Sequence, residues 1–198
     1  SRGIWVVIDE SYSDFVNDRA GSFLSSAALL QSHGNVVGLQ SFSKNLGLSG
    51  WRLGYVIASP RVISRVNLFN QHLVTCAPTV LQLALVRSFD SLSAVARAGI
   101  EQVKEQRPQV REILETEGFS VLEGSHTFYF FVDLSDHVDN ARDFAVRLLE
   151  EEGVAVIPGN AYGEATNSYI RVSFGVEPLS RIMEGVKRMS RFLSRHYG

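Results

Sequence analysis

The chain has 198 residues, 45% of them hydrophobic, with 19 basic and 21 acidic side chains and a formal net charge of −2. That length and apolar content can bury a substantial core in one large or two small domains, while the near-neutral balance, with no basic block, argues against nucleic-acid and anionic-membrane partners. No apolar run reaches the roughly 18 residues that span a bilayer, SRGIWVVIDE lacks the sections of a secretion signal, and the single Cys76 cannot close an internal disulfide, so a cytoplasmic setting is expected.

Ile4–Ile8 reads as a continuous apolar strand of the buried parallel kind, which needs neighbours on both sides. Only two other strong strands precede residue 60, so the sheet looks incomplete and a preceding N-terminal portion is expected. The strand runs into Asp9-Glu10-Ser11-Tyr12, a polar cluster at a strand's carboxyl end, where α/β sheets meet their ligands. Ser22–Ser32 predicts a short helix ended by His33-Gly34-Asn35. Val36–Leu39 predicts a second strand and Leu53–Ala58 a third, closed by Ser59-Pro60.

From Pro60 the pattern turns helical through Phe69, breaks at Cys76-Ala77-Pro78 and resumes over Val80–Phe89. A separate long helix is predicted from about Ser91–Ser93 to Glu117-Gly118, bent at Pro108. Beyond it, Phe119–Leu122, Phe128–Leu134, Val154–Pro158 and Tyr169–Phe174 predict short strands. Helices over Asn140–Glu152 and Pro178–His196 interleave with them, as in a small sheet covered by helices. The expected class is α/β, with a first domain over 1–95 and a small α+β domain over 96–198, the boundary falling inside the long helix.

The second and third strands enclose Ser41–Gly54, SFSKNLGLSGWRLG. A lone lysine in such a loop is ordinarily a solvated cation, yet loops at strand ends are where chemistry is placed. Ser41, Lys44 and Arg52 can fold around one anion through a turn at Gly47 and Gly50. Arginine offers a planar fork to phosphate, serine a hydroxyl donor, and glycine close approach of backbone amides. An amine beside cationic groups is also the setting in which lysine becomes a nucleophile toward carbonyls.

This run resembles the lysine signature of the class I and II aminotransferases, the fold type I enzymes that depend on pyridoxal 5′-phosphate (PLP). Asp9-Glu10-Ser11-Tyr12 is similar to that family's D-x-x-Y, and YIRVSF over Tyr169–Phe174 resembles its Y-I-R-[IV]-S motif. The resemblance implies that 1–95 is the C-terminal part of a PLP-binding large domain, with a mostly parallel sheet, and that 96–198 is the small domain. It implies a PLP–lysine Schiff base at Lys44, which also shuttles the substrate proton. Asp9 would meet the pyridine nitrogen, Tyr12 the phenolic oxygen, Ser41 and Arg52 the phosphate, and Arg171 the substrate α-carboxylate, with no metal. The implied reaction is ping-pong transfer of an amino group between an amino acid and a 2-oxo acid, in a homodimer.

Other readings stand beside these. Relatives that share the lysine motif decarboxylate, eliminate as lyases, or cyclise as in ACC-synthase-like enzymes, and some aminotransferase-like modules are non-catalytic parts of DNA-binding regulators. Taken alone, Asp9 reads as a helix cap, Tyr12 as core and Arg171 as a solvated strand face. Ser41-x-x-Lys44 also matches the penicillin-recognising serine enzymes, but neither S-D-N nor K-T-G follows. His33, His72, His126, His137 and His196 lack metal-ligand spacing, Trp5 and Trp51 read as packing residues, and Cys76 as a core or near-core thiol. The family's N-terminal half supplies a glycine-rich phosphate loop, a ring-stacking aromatic residue and an asparagine on the phenolic oxygen. None of these is found here, so the isolated chain is expected to show no turnover.

Overall fold

Strand β1 (Val6–Asp9) lies parallel to β2 (Val36–Ser41), with Val6 opposite Val36 and Asp9 opposite Leu39. This is a computed structural model, and it describes residues 3–16 and 23–198. The chain divides into two compact units, Ser1–Glu101 and Gln102–Gly198.

The first unit carries a three-stranded sheet in the order β1-β2-β3, where β3 (Gly54–Ile57) pairs antiparallel with β2. The antiparallel return follows from how the Ser41–Gly54 link closes: Phe42 N–H donates to the Leu53 carbonyl at 3.2 Å, which holds the two strand ends side by side. A parallel return would need a crossover passing over the sheet. Helix α1 (Ser26–Leu30) is shorter than the predicted Ser22–Ser32; it is capped by Ser25, whose hydroxyl accepts from Ala27 N–H, and Ser22 lies outside the described residues. β1 is not the buried strand its composition predicts. Among the described residues it pairs on one side only, and Trp5, Val6 and Val7 stand 57%, 43% and 63% exposed. Trp5 is therefore not a packing residue here.

Helix α3 (Pro60–Leu73) starts on a proline, whose missing N–H costs nothing in the first turn. The turn that follows holds Cys76, which is exposed and not the core thiol expected, because a tight connection between two helices stays at the surface. Helix α4 is one continuous element, Thr79–Thr116, in place of the two helices predicted around Ser91. Ser91 and Ser93 offer capping side chains, but neither glycine nor proline interrupts the residues before them, so the helix runs on. Pro108 lies within it and removes one N–H from the ladder. No helix among the described residues is long and apolar enough to cross a membrane.

The second unit is a four-stranded antiparallel sheet in the order β4-β5-β7-β6: β4 (Ser120–Val121), β5 (Tyr129–Asp133), β7 (Tyr169–Ser173) and β6 (Ile157–Pro158). Alternation sets its buried face, since Phe130 and Val132 of β5 and Ile170 and Val172 of β7 point the same way. Helix α5 (Ala141–Glu152) begins on the Asn140 cap and ends at Gly153, whose φ of +66° suits glycine. Helix α6 (Leu179–Tyr197) buries Ile182, Val186, Met189 and Phe192, a stripe at helical spacing. Phe144 of α5 meets Phe192 edge-on at 5.5 Å, and Phe130 stacks on Phe174 at 5.4 Å. Each of these four rings is at most 2% exposed.

Candidate functional site

Because β1 and β2 are parallel, their carboxyl ends share one edge of the sheet, and the polar residues that follow each strand come together there. Asp9 ends β1. Its Oδ1 accepts from the backbone N–H of Ser11 at 3.0 Å and from the Ser11 hydroxyl, which pins one oxygen, while Oδ2 has no hydrogen-bond donor among the described residues. It is not a helix cap. Tyr12 precedes a 3₁₀ turn, Ser13–Phe15, with its ring 6.2 Å from that of the buried Phe15.

Ser41 ends β2 and caps α2 (Phe42–Asn45), its hydroxyl oxygen accepting from Ser43 N–H at 3.1 Å. A hydroxyl that accepts in this way keeps its own proton to donate. Lys44 stands exposed on this single helical turn, and its neighbour Asn45 donates to Ser13 Oγ at 3.3 Å. That bond ties the lysine-bearing turn to the turn after Tyr12. Asn45 Oδ1 is buried without a hydrogen-bond partner among the described residues.

The rest of the loop folds back on α2. Leu48 N–H donates to the Phe42 carbonyl at 3.1 Å, and Gly47 takes a φ of +69°. Arg52 has left-handed backbone, φ 54° and ψ 40°, and its Nη1 donates to the Ser49 carbonyl at 2.9 Å. A non-glycine residue held there costs on the order of 1 kcal/mol, and such strain clusters where ligands bind. Gly54 is required by contact, since a Cβ would lie 2.5 Å from the Gln40 carbonyl oxygen across the β2–β3 pair. Gly54→Ala is therefore expected to force the Ser41 end of the sheet apart and to cost about 1–3 kcal/mol in chemical denaturation of the intact protein. An unchanged midpoint would show that the strands relax freely.

Glu10 is a member of this edge that sequence reasoning passed over. It is 3% exposed, and its carboxylate accepts from Ser26 N–H and from the Gln40 side-chain amide. It thereby joins the end of β1, the start of α1 and the residue before Ser41. Gly38 leaves room for this junction, because a Cβ there would sit 2.0 Å from Ser26 Oγ. Burial, with the charges of Glu10 and Asp14 nearby, pushes the Tyr55 phenol up and keeps it protonated. A short polar stretch carries no periodicity that announces such a junction.

Arg171 belongs to the second unit, in the middle of β7 with Phe131 on one side and Ile157 on the other. Its guanidinium carbon lies 5.2 Å from the Tyr129 ring centre and 5.8 Å from that of Tyr162. The residue lies on the more exposed face of β7 and is itself half-buried, yet its Nε is buried and has no partner among the described residues. An unpaired donor on a charged group is costly to bury and marks a place for an anion.

Asp9, Tyr12, Ser41, Lys44 and Arg52 thus share one sheet edge of the first unit, and Arg171 stands on the sheet of the second. The donor set fits PLP: a hydroxyl and a guanidinium suited to its phosphate, an amine to its carbonyl carbon, and a carboxylate to its protonated ring nitrogen. Residues 1–183 match the family described as aminotransferase class I and II.

The chain belongs to that family. The class I and II aminotransferases are PLP-dependent enzymes, and the fold here is a part of theirs. In sequence it is 31% identical over 201 residues to an aspartate aminotransferase of Sulfolobus acidocaldarius, covering 98% of this chain and 49% of the relative. Among solved structures, an aspartate aminotransferase of Thermotoga maritima matches with a TM-score of 0.80 at 31% identity, over 98% of this chain and 48% of its own. An aromatic aminotransferase of Pyrococcus horikoshii matches with a TM-score of 0.86 at 28% identity, over 97% and 52%. The chain spans about half the length of the curated aminotransferases it matches.

Proposed function

We propose that this chain supplies the lysine, the phosphate-binding residues and the carboxylate clamp of a PLP-dependent aminotransferase, which moves an amino group between an amino acid and a 2-oxo acid. The observation that carries the reading is the Ser41–Gly54 loop. It places a capping hydroxyl, an exposed amine and a strained arginine on one closed turn beside the carboxylate that ends β1.

Bound PLP supplies an electron sink for the negative charge that develops at the substrate Cα. In this reading Lys44 Nζ holds the cofactor through its carbonyl carbon and then moves the substrate's Cα proton. Asp9 accepts the ring N–H and keeps that nitrogen protonated, with Ser11 fixing the carboxylate so that little reorganisation accompanies the reaction. Tyr12 donates to the phenolic oxygen, and Ser41 and Arg52 hold the phosphate. Arg171 clamps the α-carboxylate of either substrate with its fork, its aromatic neighbours limiting where the guanidinium can turn. A homodimer in the cytoplasm completes the reading, supported by the family resemblance.

Product analysis tests it. The intact PLP-loaded protein, given one amino acid and one 2-oxo acid, is expected to release the exchanged pair with no carbon dioxide or ammonia. Stoichiometric carbon dioxide or ammonia would assign the site to decarboxylation or elimination.

A further inference from the structure

Arg107 of α4 is a charged side chain only 9% exposed, and none of the roles proposed above uses it. Its guanidinium lies 4.1 Å over the Phe130 ring, so one face is already covered by the core. The N–H groups are spent on a single stretch of backbone: Nη1 donates to the Thr127 carbonyl at 3.0 Å and the Tyr129 carbonyl at 2.9 Å, and Nη2 to the Gly124 carbonyl at 3.1 Å. That stretch is strained. Thr127 is a β-branched residue at a φ of 68°, whereas Gly124 takes a φ of 156° that glycine adopts without steric cost. Burial, with the Arg111 guanidinium beside it, pulls Arg107 down to about 10, so it remains a cation at neutral pH.

The strained stretch leads directly into β5, and the first residue of β5 is Tyr129, whose ring lies 5.2 Å from the Arg171 guanidinium. Three backbone acceptors held by one rigid fork fix where that ring stands in a way no point charge could. We propose that Arg107 is a positioning residue for the carboxylate clamp, holding the Gly124–Tyr129 segment so that the Tyr129 ring sets the orientation of Arg171. The inference rests on reading Arg171 as the group that binds the substrate carboxylate.

The experiment compares Arg107→Met, Arg107→Lys, Tyr129→Leu and Arg171→Lys in the intact PLP-loaded protein. Steady-state kinetics are read with the amino acid and the 2-oxo acid, and visible cofactor absorbance and circular dichroism serve as checks. Arg107→Met keeps the packing over Phe130 and loses the carbonyl bonds. It is expected to raise KM for both substrates about tenfold, with kcat within about threefold and absorbance unchanged. Arg107→Lys should recover part of that rise, and Tyr129→Leu should reproduce it. Unchanged KM in both Arg107 variants overturns the proposal. So does loss of kcat, absorbance and folded signal together in Arg107→Lys, which would make Arg107 a residue that only holds the fold. A KM rise in the Arg107 variants without one in Tyr129→Leu overturns the route through the ring. Arg171→Lys separates this from the underlying reading: unchanged KM there refutes the clamp itself, whereas a raised KM there with normal Arg107 variants refutes only the positioning role.

Discussion

Lys44→Ala in the intact protein is expected to remove the visible absorbance of the lysine-bound cofactor and to lower transamination by on the order of 10⁴-fold. In the proposed reading one nitrogen carries two duties, holding the cofactor and moving the Cα proton, and an alanine methyl group does neither. Lys44 stands exposed on a one-turn helix that is anchored by the Ser41 cap and the Asn45–Ser13 bond. Removing its side chain leaves those anchors intact, so the variant should fold with unchanged circular dichroism and thermal midpoint. PLP should still bind, because Ser41, Arg52 and Asp9 remain. Added ethylamine or methylamine should restore a measurable part of the activity by supplying a free amine. Retained absorbance and retained turnover in Lys44→Ala would remove the central assignment.

Arg171→Leu is expected to raise KM for both the amino acid and the 2-oxo acid by about 100-fold, the loss that follows when one member of a partly desolvated, hydrogen-bonded charge pair is truncated. The size of the effect comes from the burial of Nε and from the two tyrosine rings that lie 5.2 and 5.8 Å from the guanidinium carbon. Both substrates present the same α-carboxylate, so both should suffer together, and the cofactor absorbance should not change. A rise confined to one substrate would instead make Arg171 a reader of that substrate's side chain. Parallel measurements with Arg171→Lys test the fork geometry, since a single ammonium keeps the charge and loses the two-pronged bond.

Much of the small unit was legible in the chain. The alternation in YFFVD and YIRVS and the helical spacing in α5 and α6 report local periodicity, and the structure places β5, β7, α5 and α6 close to the predicted bounds. Long-range consequences were less legible. Ser91 and Ser93 look like a helix start, but a capping side chain cannot end a helix already running through it, so α4 continues from Thr79. Ile4–Ile8 looks like a buried strand because its residues are apolar, whereas burial depends on what lies beside it, and among the described residues only β2 does.

By itself the sequence determined the identity and order of the chemically able residues, Asp9, Tyr12, Ser41, Lys44, Arg52 and Arg171, because side-chain chemistry and short spacing survive without a fold. Tertiary structure alone decided that parallel pairing of β1 and β2 brings the first five to one edge, and that Glu10 ties that edge together from behind. It also decided that Arg171 has a buried Nε with no partner among the described residues and that Arg107 grips the backbone at Thr127 and Tyr129. Those facts depend on which groups meet across space, and hydrogen bonding and desolvation act on that distance whatever the separation along the chain.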